Sequence, residues 1–118
     1  MKIITESDKI TVSELEKMSE KMFEGFVKAV VDVARGIMMV DADMHADEER
    51  GLLENGSKQE NLWGINLYPR ILGEDFIEFD SMINIRPWQG NRSRSVEDEN
   101  VQKKIKSVVD KLVVATKP

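Results

Sequence analysis

The sequence predicts an α+β fold, because apolar residues alternate with a period of two in the middle of the chain and follow a helical period near both ends. The alternating runs predict an antiparallel sheet of two β-hairpins, to which an N-terminal strand can be added, with the N- and C-terminal helices packed on one face. At 118 residues the chain has the length of one domain, and we expect a single domain over residues 1–118. A strand-helix-strand-strand-helix-strand core with an added hairpin strand and terminal helix fits the same pattern, so the order of the strands stays open.

The N-terminal segment predicts a strand followed by a helix. Residues Lys2 to Thr5 have the character of a short strand. Thr11 is followed three residues later by Glu14, which makes a capping box at the start of a helix whose apolar face includes Leu15. We expect this helix to end at Gly25.

The first hairpin is predicted from two alternating runs, residues 27–33 and 38–44. Arg35-Gly36 lies between them as a two-residue turn. With that turn, every apolar residue on one face meets another apolar residue across the hairpin. The expected pairs are Val33 with Met38, Val31 with Val40, Ala29 with Ala42 and Val27 with Met44.

A short helix and a second hairpin are expected next. Asp47 has the character of a helix cap, and Asn55-Gly56 suits a helix end. The strand-like runs at residues 62–68 and 76–86 predict the second hairpin. The two runs share a short sequence repeat, I-N-L-Y-P and I-N-I-R-P, in which a proline ends each strand.

The last predicted helix is strongly amphipathic. We expect it to begin at Ser95 and to span about five turns. Its apolar residues recur at helical spacing: Val101, Ile105, Val108, Val109, Leu112 and Val113. This face should close the core.

The composition disfavours several classes of function. The net charge of −5 disfavours nucleic-acid binding, since backbone phosphates favour a broad basic surface. The absence of cysteine excludes disulfides and thiolate chemistry, and it favours a cytoplasmic location. No segment approaches the roughly 20 apolar residues of a membrane span, and the charged N-terminal residues do not fit a signal peptide.

Three segments carry a resemblance to a known family. They are G-I-M-M-V-D-A-D-M-H at residues 36–45, L-W-G-I-N-L-Y-P at 62–69 and F-D-S-M-I-N-I-R-P-W-Q-G-N-R-S-R at 79–94. In these segments the chain resembles a family of small uncharacterised bacterial proteins that is defined as a domain of unknown function. The resemblance covers almost the whole length. It implies a stand-alone cytoplasmic domain, and it implies no activity, ligand or catalytic residue.

The first candidate site is an arginine-rich loop, R-P-W-Q-G-N-R-S-R-S at residues 86–95, which concentrates positive charge in an acidic protein. Arginine forks and the backbone N–H groups at the start of a helix together hold small anions such as phosphate or carboxylate. The predicted ligand-binding residues are Arg86, Trp88, Gly90, Asn91, Arg92, Ser93, Arg94 and Ser95. Gly90 is expected to let the backbone approach the ligand closely.

An alternative interpretation of the same loop is structural. Glu97, Asp98 and Glu99 follow it directly, and carboxylates there can compensate the helix dipole and pair with the arginines. In that case the loop is a solvated connection and binds no ligand.

The second candidate site is a metal centre. Asp41, Asp43 and His45 fall at every second position, which places them on one face of a strand, and Asp80 adds a carboxylate. A divalent cation is therefore the one cofactor that the sequence suggests, and it would serve a hydrolase or nuclease by activating water. Against this, same-face side chains on a strand stand about 7 Å apart, too far to share an ion unless the strand kinks.

The third interpretation concerns the polar face of the sheet as an interaction surface. Asn66, Glu78 and Asp80 alternate away from the apolar face, while Met39 and Met82 add apolar area among them. Such a face can meet a protein partner or a second copy of the chain. The sequence therefore leaves three functions open: a small cytoplasmic module that binds an anionic ligand, a metal-dependent hydrolase, and an interaction domain or homo-oligomer.

Overall fold

The computed structural model describes residues 1–22, 25–71 and 73–115, and in them two strands precede each α-helix. In chain order they are β1 (Lys2–Ile4), β2 (Ile10–Thr11), α1 (Val12–Glu20), β3 (Val27–Asp32), β4 (Ile37–Val40), α2 (His45–Glu54), β5 (Leu62–Leu67), β6 (Ile77–Glu78), α3 (Glu99–Leu112) and β7 (Val113–Val114). Short 3-10 turns connect several of them, at Gln59–Asn61, Gly73–Phe76, Met82–Asn84 and Pro87–Gln89.

The main sheet is antiparallel and has the strand order β1-β4-β3-β5-β6. The N-terminal strand therefore pairs with the hairpin, and β3 occupies the centre. A second, two-stranded sheet joins β2 to β7 in parallel, with Ile10 opposite Val113. The α+β class and the antiparallel sheet are confirmed.

Each face of the sheet is covered by helices. On one face, Leu15 of α1 and Ile105 of α3 belong to the same buried cluster as Val31 and Ile65 of the strands. This confirms that the N- and C-terminal helices pack on one face. On the other face, Leu52 of α2 packs with a smaller cluster of strand residues. The chain's own helix thus covers Met39 on the polar face, while Met82 stays exposed.

The first hairpin forms, but the predicted register is wrong by two residues. Val31 pairs with Met38 and Ala29 with Val40, because the turn has four residues. The Asp32 carboxylate accepts hydrogen bonds from two backbone N–H groups in the turn, those of Ala34 and Arg35 (both 2.9 Å), and so stabilises the longer loop. A shift of two residues leaves every side chain on its predicted face.

The second hairpin is shorter than predicted. β6 contains only Ile77 and Glu78, and the expected strand at residues 76–86 continues as loop and as the 3-10 turn Met82–Asn84. The side chain of Asn84 occupies the place of a strand beside β5, with hydrogen bonds to the peptide of Gly64. The two copies of the short sequence repeat therefore adopt different conformations, since Asn66 lies in β5 and Asn84 lies in a turn.

Helix α1 begins as predicted, because Thr11 caps it through a hydrogen bond from the backbone N–H of Glu14 (3.1 Å). The predicted end at Gly25 is wrong, since the helix stops at Glu20.

The starts of the other two helices differ from the prediction. α2 begins at His45 and not after Asp47. Its N-cap residue is Met44, whose side chain forms no capping hydrogen bond. α3 begins at Glu99 with Asp98 as its cap, so Ser95 is not the helix start. The first turn of α3 therefore does not lie directly after the arginine-rich loop.

Candidate ligand-binding cleft

A cleft of about 480 Å³ opens on the polar face of the sheet, beside the N-terminus of α2. Its lining combines two cationic, two carboxylate, one imidazole and several apolar or neutral side chains. The residues are Phe26, Lys28, Met44, His45, Ala46, Asn66, Tyr68, Glu78, Asp80, Ser81, Met82, Ile83 and Arg94. Clefts of this size hold small organic molecules.

Three strands supply the floor of the cleft. In the ladder, Lys28 of β3 lies opposite Asn66 of β5, and Asn66 lies opposite Glu78 of β6. Paired residues on neighbouring strands project to the same face. The row therefore carries a positive charge, an amide and a negative charge in that order. Two residues further along the same two segments, the rings of Phe26 and Tyr68 contact each other, with centroids 5.3 Å apart.

His45 stands at the first position of α2 and faces this floor. Its Nε2 lies 2.8 Å from the carbonyl oxygen of Ile65, and because a carbonyl only accepts, Nε2 carries the proton. Burial lowers the pKa of His45, and the positive charges of Lys28 and Arg94 lower it further. The hydrogen bond to Ile65 and the carboxylate of Asp80 raise the pKa, but the lowering effects are larger. The imidazole is therefore neutral at physiological pH, with Nδ1 unprotonated.

The two cations of the cleft differ in their partners. Arg94 donates from Nε to the Asp80 carboxylate at 2.6 Å, and this hydrogen bond raises the pKa of Arg94. The Lys28 ammonium donates to the backbone oxygen of Asp43 (2.8 Å), and within the described part of the chain it forms no ion pair. Lys28 thus contacts the backbone of the segment between β4 and α2.

The predicted metal ligands are divided between different elements. β4 ends at Val40, and Asp41 has a φ of 67°, a left-handed conformation that turns the chain out of the strand toward α2. Asp41, Asp43 and His45 consequently do not share one strand face. Among residues 1–22, 25–71 and 73–115, no three His, Asp or Glu side chains come together in a group that could hold a metal ion. Of the predicted set, only His45 and Asp80 line the cleft.

Arg86, from the arginine-rich loop, is buried. Only 1% of its surface is exposed, and its guanidinium donates to the backbone oxygens of Gln59 and Leu62 (2.7 Å for the latter). The guanidinium carbon lies 4.2 Å from the centroid of the Trp63 ring. These contacts join the loop to the start of β5, which is a structural role.

Asn91 is also fully engaged inside the loop. Its Nδ2 donates to the backbone oxygens of Asn84, Ser93 and Ser95, and its Oδ1 accepts from the N–H of Glu97 (2.9 Å). Asn91 therefore fixes the shape of the loop around its own side chain.

The backbone donors of the loop already hold an anionic group. The carboxylate of Glu97 accepts hydrogen bonds from the N–H groups of Arg92 (2.8 Å) and Ser93 (2.7 Å). Hydrogen bonds from Ser93 and Arg92 lower the pKa of Glu97. The contacts of Glu97 agree with the structural interpretation of the loop. Anion binding by the loop stays a prediction.

The other residues of the loop do not line the cleft. Gly90 has a φ of 82°, which favours glycine, and a side chain there would meet no atom within 4 Å. The residue is thus required for the turn and not for a close approach. Trp88 is 76% exposed, Arg92 is exposed, and Ser95 contributes its carbonyl oxygen to Asn91.

The cleft combines residues from two separate hypotheses. Arg94 comes from the predicted anion site, and His45 and Asp80 come from the predicted metal site. Lys28 was missed as a functional residue. Its signal in the sequence is a single cation among the apolar residues of β3, but the register against β5 is needed to place it beside Asn66.

The chain matches the model of a known protein family. Residues 2–112 match the model of the family described as "Protein of unknown function (DUF5674)". The chain belongs to this family. The match covers nearly the whole chain, and the family description assigns no activity. Neither a curated protein nor a solved structure matches the chain. In the segments that the structure describes, no helix is both long and apolar enough to cross a bilayer.

Proposed function

We propose that this protein binds a small anionic molecule in the cleft on the polar face of its sheet. The observation that carries the proposal is the position of two cationic side chains in one cleft with His45. Lys28 lies in β3 and Arg94 in the loop before α3, and the charges of both side chains lower the pKa of the His45 imidazole. Of the charges that shift the pKa of His45, the two cations outnumber the one carboxylate, Asp80.

Two further features support a polar ligand at this position, and the first of them favours an anion. The N-terminus of α2 borders the cleft without a side-chain cap, and the first N–H groups of a helix have no partner within the helix. Asn66, which is 4% exposed, carries an Oδ1 atom with no hydrogen-bond partner. Native proteins leave few buried polar atoms unpaired, so a polar ligand on the cleft floor would explain it.

The sole histidine of the chain gives a direct test, since its NMR resonances report on this cleft alone. Inorganic phosphate, acetate and succinate are titrated into the protein, and the pKa of His45 is measured with and without each anion. We expect at least one anion to give a saturable shift at millimolar concentration and to raise the pKa of His45, because a nearby negative charge favours the imidazolium.

Matched variants locate the site. Arg94→Gln and Lys28→Gln are expected to weaken binding about tenfold or more, since each removes one charge-assisted contact. Arg92→Gln makes the same chemical change on the exposed loop and should leave the affinity within about twofold. A loss of binding in Arg92→Gln with retention in Arg94→Gln would assign the anion to the arginine-rich loop and overturn the proposal.

We also propose that the protein acts in the cytoplasm of a bacterium. The absence of cysteine supports a reducing compartment, and the resemblance to small bacterial proteins supports the source. Fractionation of bacterial cells with an antibody against the native chain tests this. Recovery of the protein mainly in the periplasmic or membrane fraction would contradict it.

A further inference from the structure

The cleft carries as much negative charge as positive charge, and the two are arranged in space. Lys28 and Arg94 are cationic, while Glu78 and Asp80 are carboxylates. Along the floor, Lys28 and Glu78 stand on either side of Asn66, two strand spacings apart. Two strand spacings correspond to roughly 10 Å between backbones. A ligand with a negative charge alone would match only one end of this row.

Glu78 is held in a fixed orientation at its end. Its Oε1 accepts hydrogen bonds from Nδ2 of Asn66 (2.8 Å) and from the hydroxyl of Tyr68 (3.0 Å). None of the ion pairs between described residues includes Glu78. A carboxylate oriented by two neutral donors, with no cation paired to it, is suited to receive a positively charged donor.

Asn66 adds an acceptor beside this carboxylate. Its Nδ2 donates to Glu78 and to the backbone oxygen of Asp80 (3.2 Å), and these two acceptors fix which end of the amide is nitrogen. Oδ1 is then an acceptor without a partner on a side chain that is 4% exposed. The group that satisfies it must donate a hydrogen bond, which a carboxylate cannot do.

We infer that the ligand of this cleft is a zwitterion of the amino-acid class, with its carboxylate toward Lys28 and Arg94 and its ammonium toward Glu78 and the Asn66 carbonyl. This rests on the proposed function, because it assigns the anionic group to the same cations. The apolar remainder of the ligand contacts Phe26, Met44 and Met82, which line the same cleft.

The test compares ligands that share one apolar chain. L-leucine carries both charges, isocaproate is leucine without its amino group, and isopentylamine is leucine without its carboxylate. γ-Aminobutyrate and butyrate repeat the comparison with the charges further apart. Affinities are measured by calorimetry and by the resonances of His45. We expect the zwitterion of at least one series to bind at least tenfold tighter than its monovalent analogues.

Variants connect the preference to Glu78. Glu78→Gln is expected to lower the affinity for the zwitterion about tenfold. The affinity for the simple anion should stay equal or increase. Arg94→Gln is expected to weaken both. Glu60→Gln makes the same change at an exposed position outside the cleft and should alter neither affinity.

The outcomes separate the two proposals. If no anion and no zwitterion binds, the proposed function fails together with this inference. If isocaproate and butyrate bind as tightly as leucine and γ-aminobutyrate, the anion site stands and the inference is overturned. Retention of the zwitterion preference in Glu78→Gln would also overturn it.

Discussion

The side-chain amide of Asn84 pairs with the peptide group of Gly64 as a neighbouring strand would. Oδ1 of Asn84 accepts from the N–H of Gly64 (2.8 Å), and Nδ2 donates to its carbonyl oxygen (3.0 Å). Nδ2 also donates to the carbonyl of Arg94 (2.9 Å). One side chain thereby satisfies the backbone N–H and C=O groups at the edge of β5 that β6 does not pair. It also fixes the loop that carries Arg94 into the cleft.

Replacement of Asn84 by leucine should therefore destabilise the fold. The change keeps the volume but leaves the N–H and the carbonyl oxygen of Gly64 without a partner, while the carbonyl oxygen of Arg94 keeps the N–H of Ser81. Unpaired buried polar groups cost about 1–3 kcal/mol each. Urea unfolding should show a loss of about 2–5 kcal/mol. Asn100→Ala, on the exposed surface of α3, is the control and should change the free energy of unfolding little. A loss no larger than that of the control would contradict the structural role of Asn84.

Gly64 is required because Ser81 lies against it. A Cβ atom at Gly64 would stand 2.5 Å from Cβ and 2.6 Å from Oγ of Ser81. Gly64→Ala is expected to cost about 1–3 kcal/mol through this overlap. The double variant with Ser81→Gly removes the clashing atoms, so the two changes should be less harmful together than the sum of the single variants. Additive losses in urea unfolding would show that the contact is not the cause.

Arg86 should matter for stability and not for ligand binding. Arg86→Lys keeps the charge but loses the planar fork that reaches two carbonyl oxygens and stacks on Trp63. We expect a loss of about 2–4 kcal/mol in the free energy of unfolding, because a buried cation loses partners. Arg92→Lys is the matched control on the loop surface. If the anion affinity falls in Arg86→Lys while stability is unchanged, Arg86 is a ligand residue after all.

Glu97 should make stability depend on pH in acid. Its folded-state pKa lies below the ordinary value, so its contribution is fully present above the unfolded pKa of about 4.5 and is lost as the pH falls through the folded value. Wild type should exceed Glu97→Gln in stability at neutral pH, and the difference should vanish in strong acid. Thermal unfolding across this range measures it.

The same carboxylate occupies the donors of the arginine-rich loop. In Glu97→Ala the N–H groups of Arg92 and Ser93 become available, and we expect sulfate to stabilise this variant more than wild type. Equal stabilisation of both proteins by sulfate would show that Glu97 does not control access to the loop.

Glu48 should have the opposite effect on the alkaline side. Burial raises its pKa to about 10, although Oε2 accepts from the N–H of Ala42 (3.2 Å). The unfolded chain ionises this group near pH 4.5 and the folded chain near pH 10, so folding is progressively less favoured as the pH rises between these values. Glu48→Gln cannot ionise, so it should gain stability relative to wild type on going from about pH 5 to about pH 9. Glu54→Gln, exposed on the same helix, is the control. Parallel urea-stability profiles for wild type and Glu48→Gln would refute the assignment.

The sequence predicted features that depend on local patterns. The capping of α1 by Thr11 and the side-chain faces of β3 are local, and both are confirmed. The length of the first turn was wrong because the Asp32 carboxylate stabilises a longer loop. The second hairpin was wrong because an amide side chain replaces the backbone of a strand, and this leaves the apolar alternation intact.

The cleft could be predicted only in parts. Arg94, His45 and Asp80 were chosen for their chemistry, but they were assigned to two different sites. Their meeting depends on the left-handed turn at Asp41, which ends β4, and on the path of the chain after β6. Neither is encoded in a periodic pattern. The burial of Arg86 was not predicted for a similar reason, since the contact of its guanidinium with the Trp63 ring depends on a distant segment.

The two-residue strand β6 lies at the border of the sheet and carries Glu78. Border strands with few ladder bonds are where a native sheet opens first, so backbone amides there exchange with solvent sooner than those of central β3. The acidic end of the cleft is thus also the least protected part of the ladder. Occupancy of the cleft should consequently be visible as slower deuterium uptake at the backbone amides of Asn66 and Glu78, which form the hydrogen-bonded pair of this ladder, while uptake in the centre of the sheet stays the same.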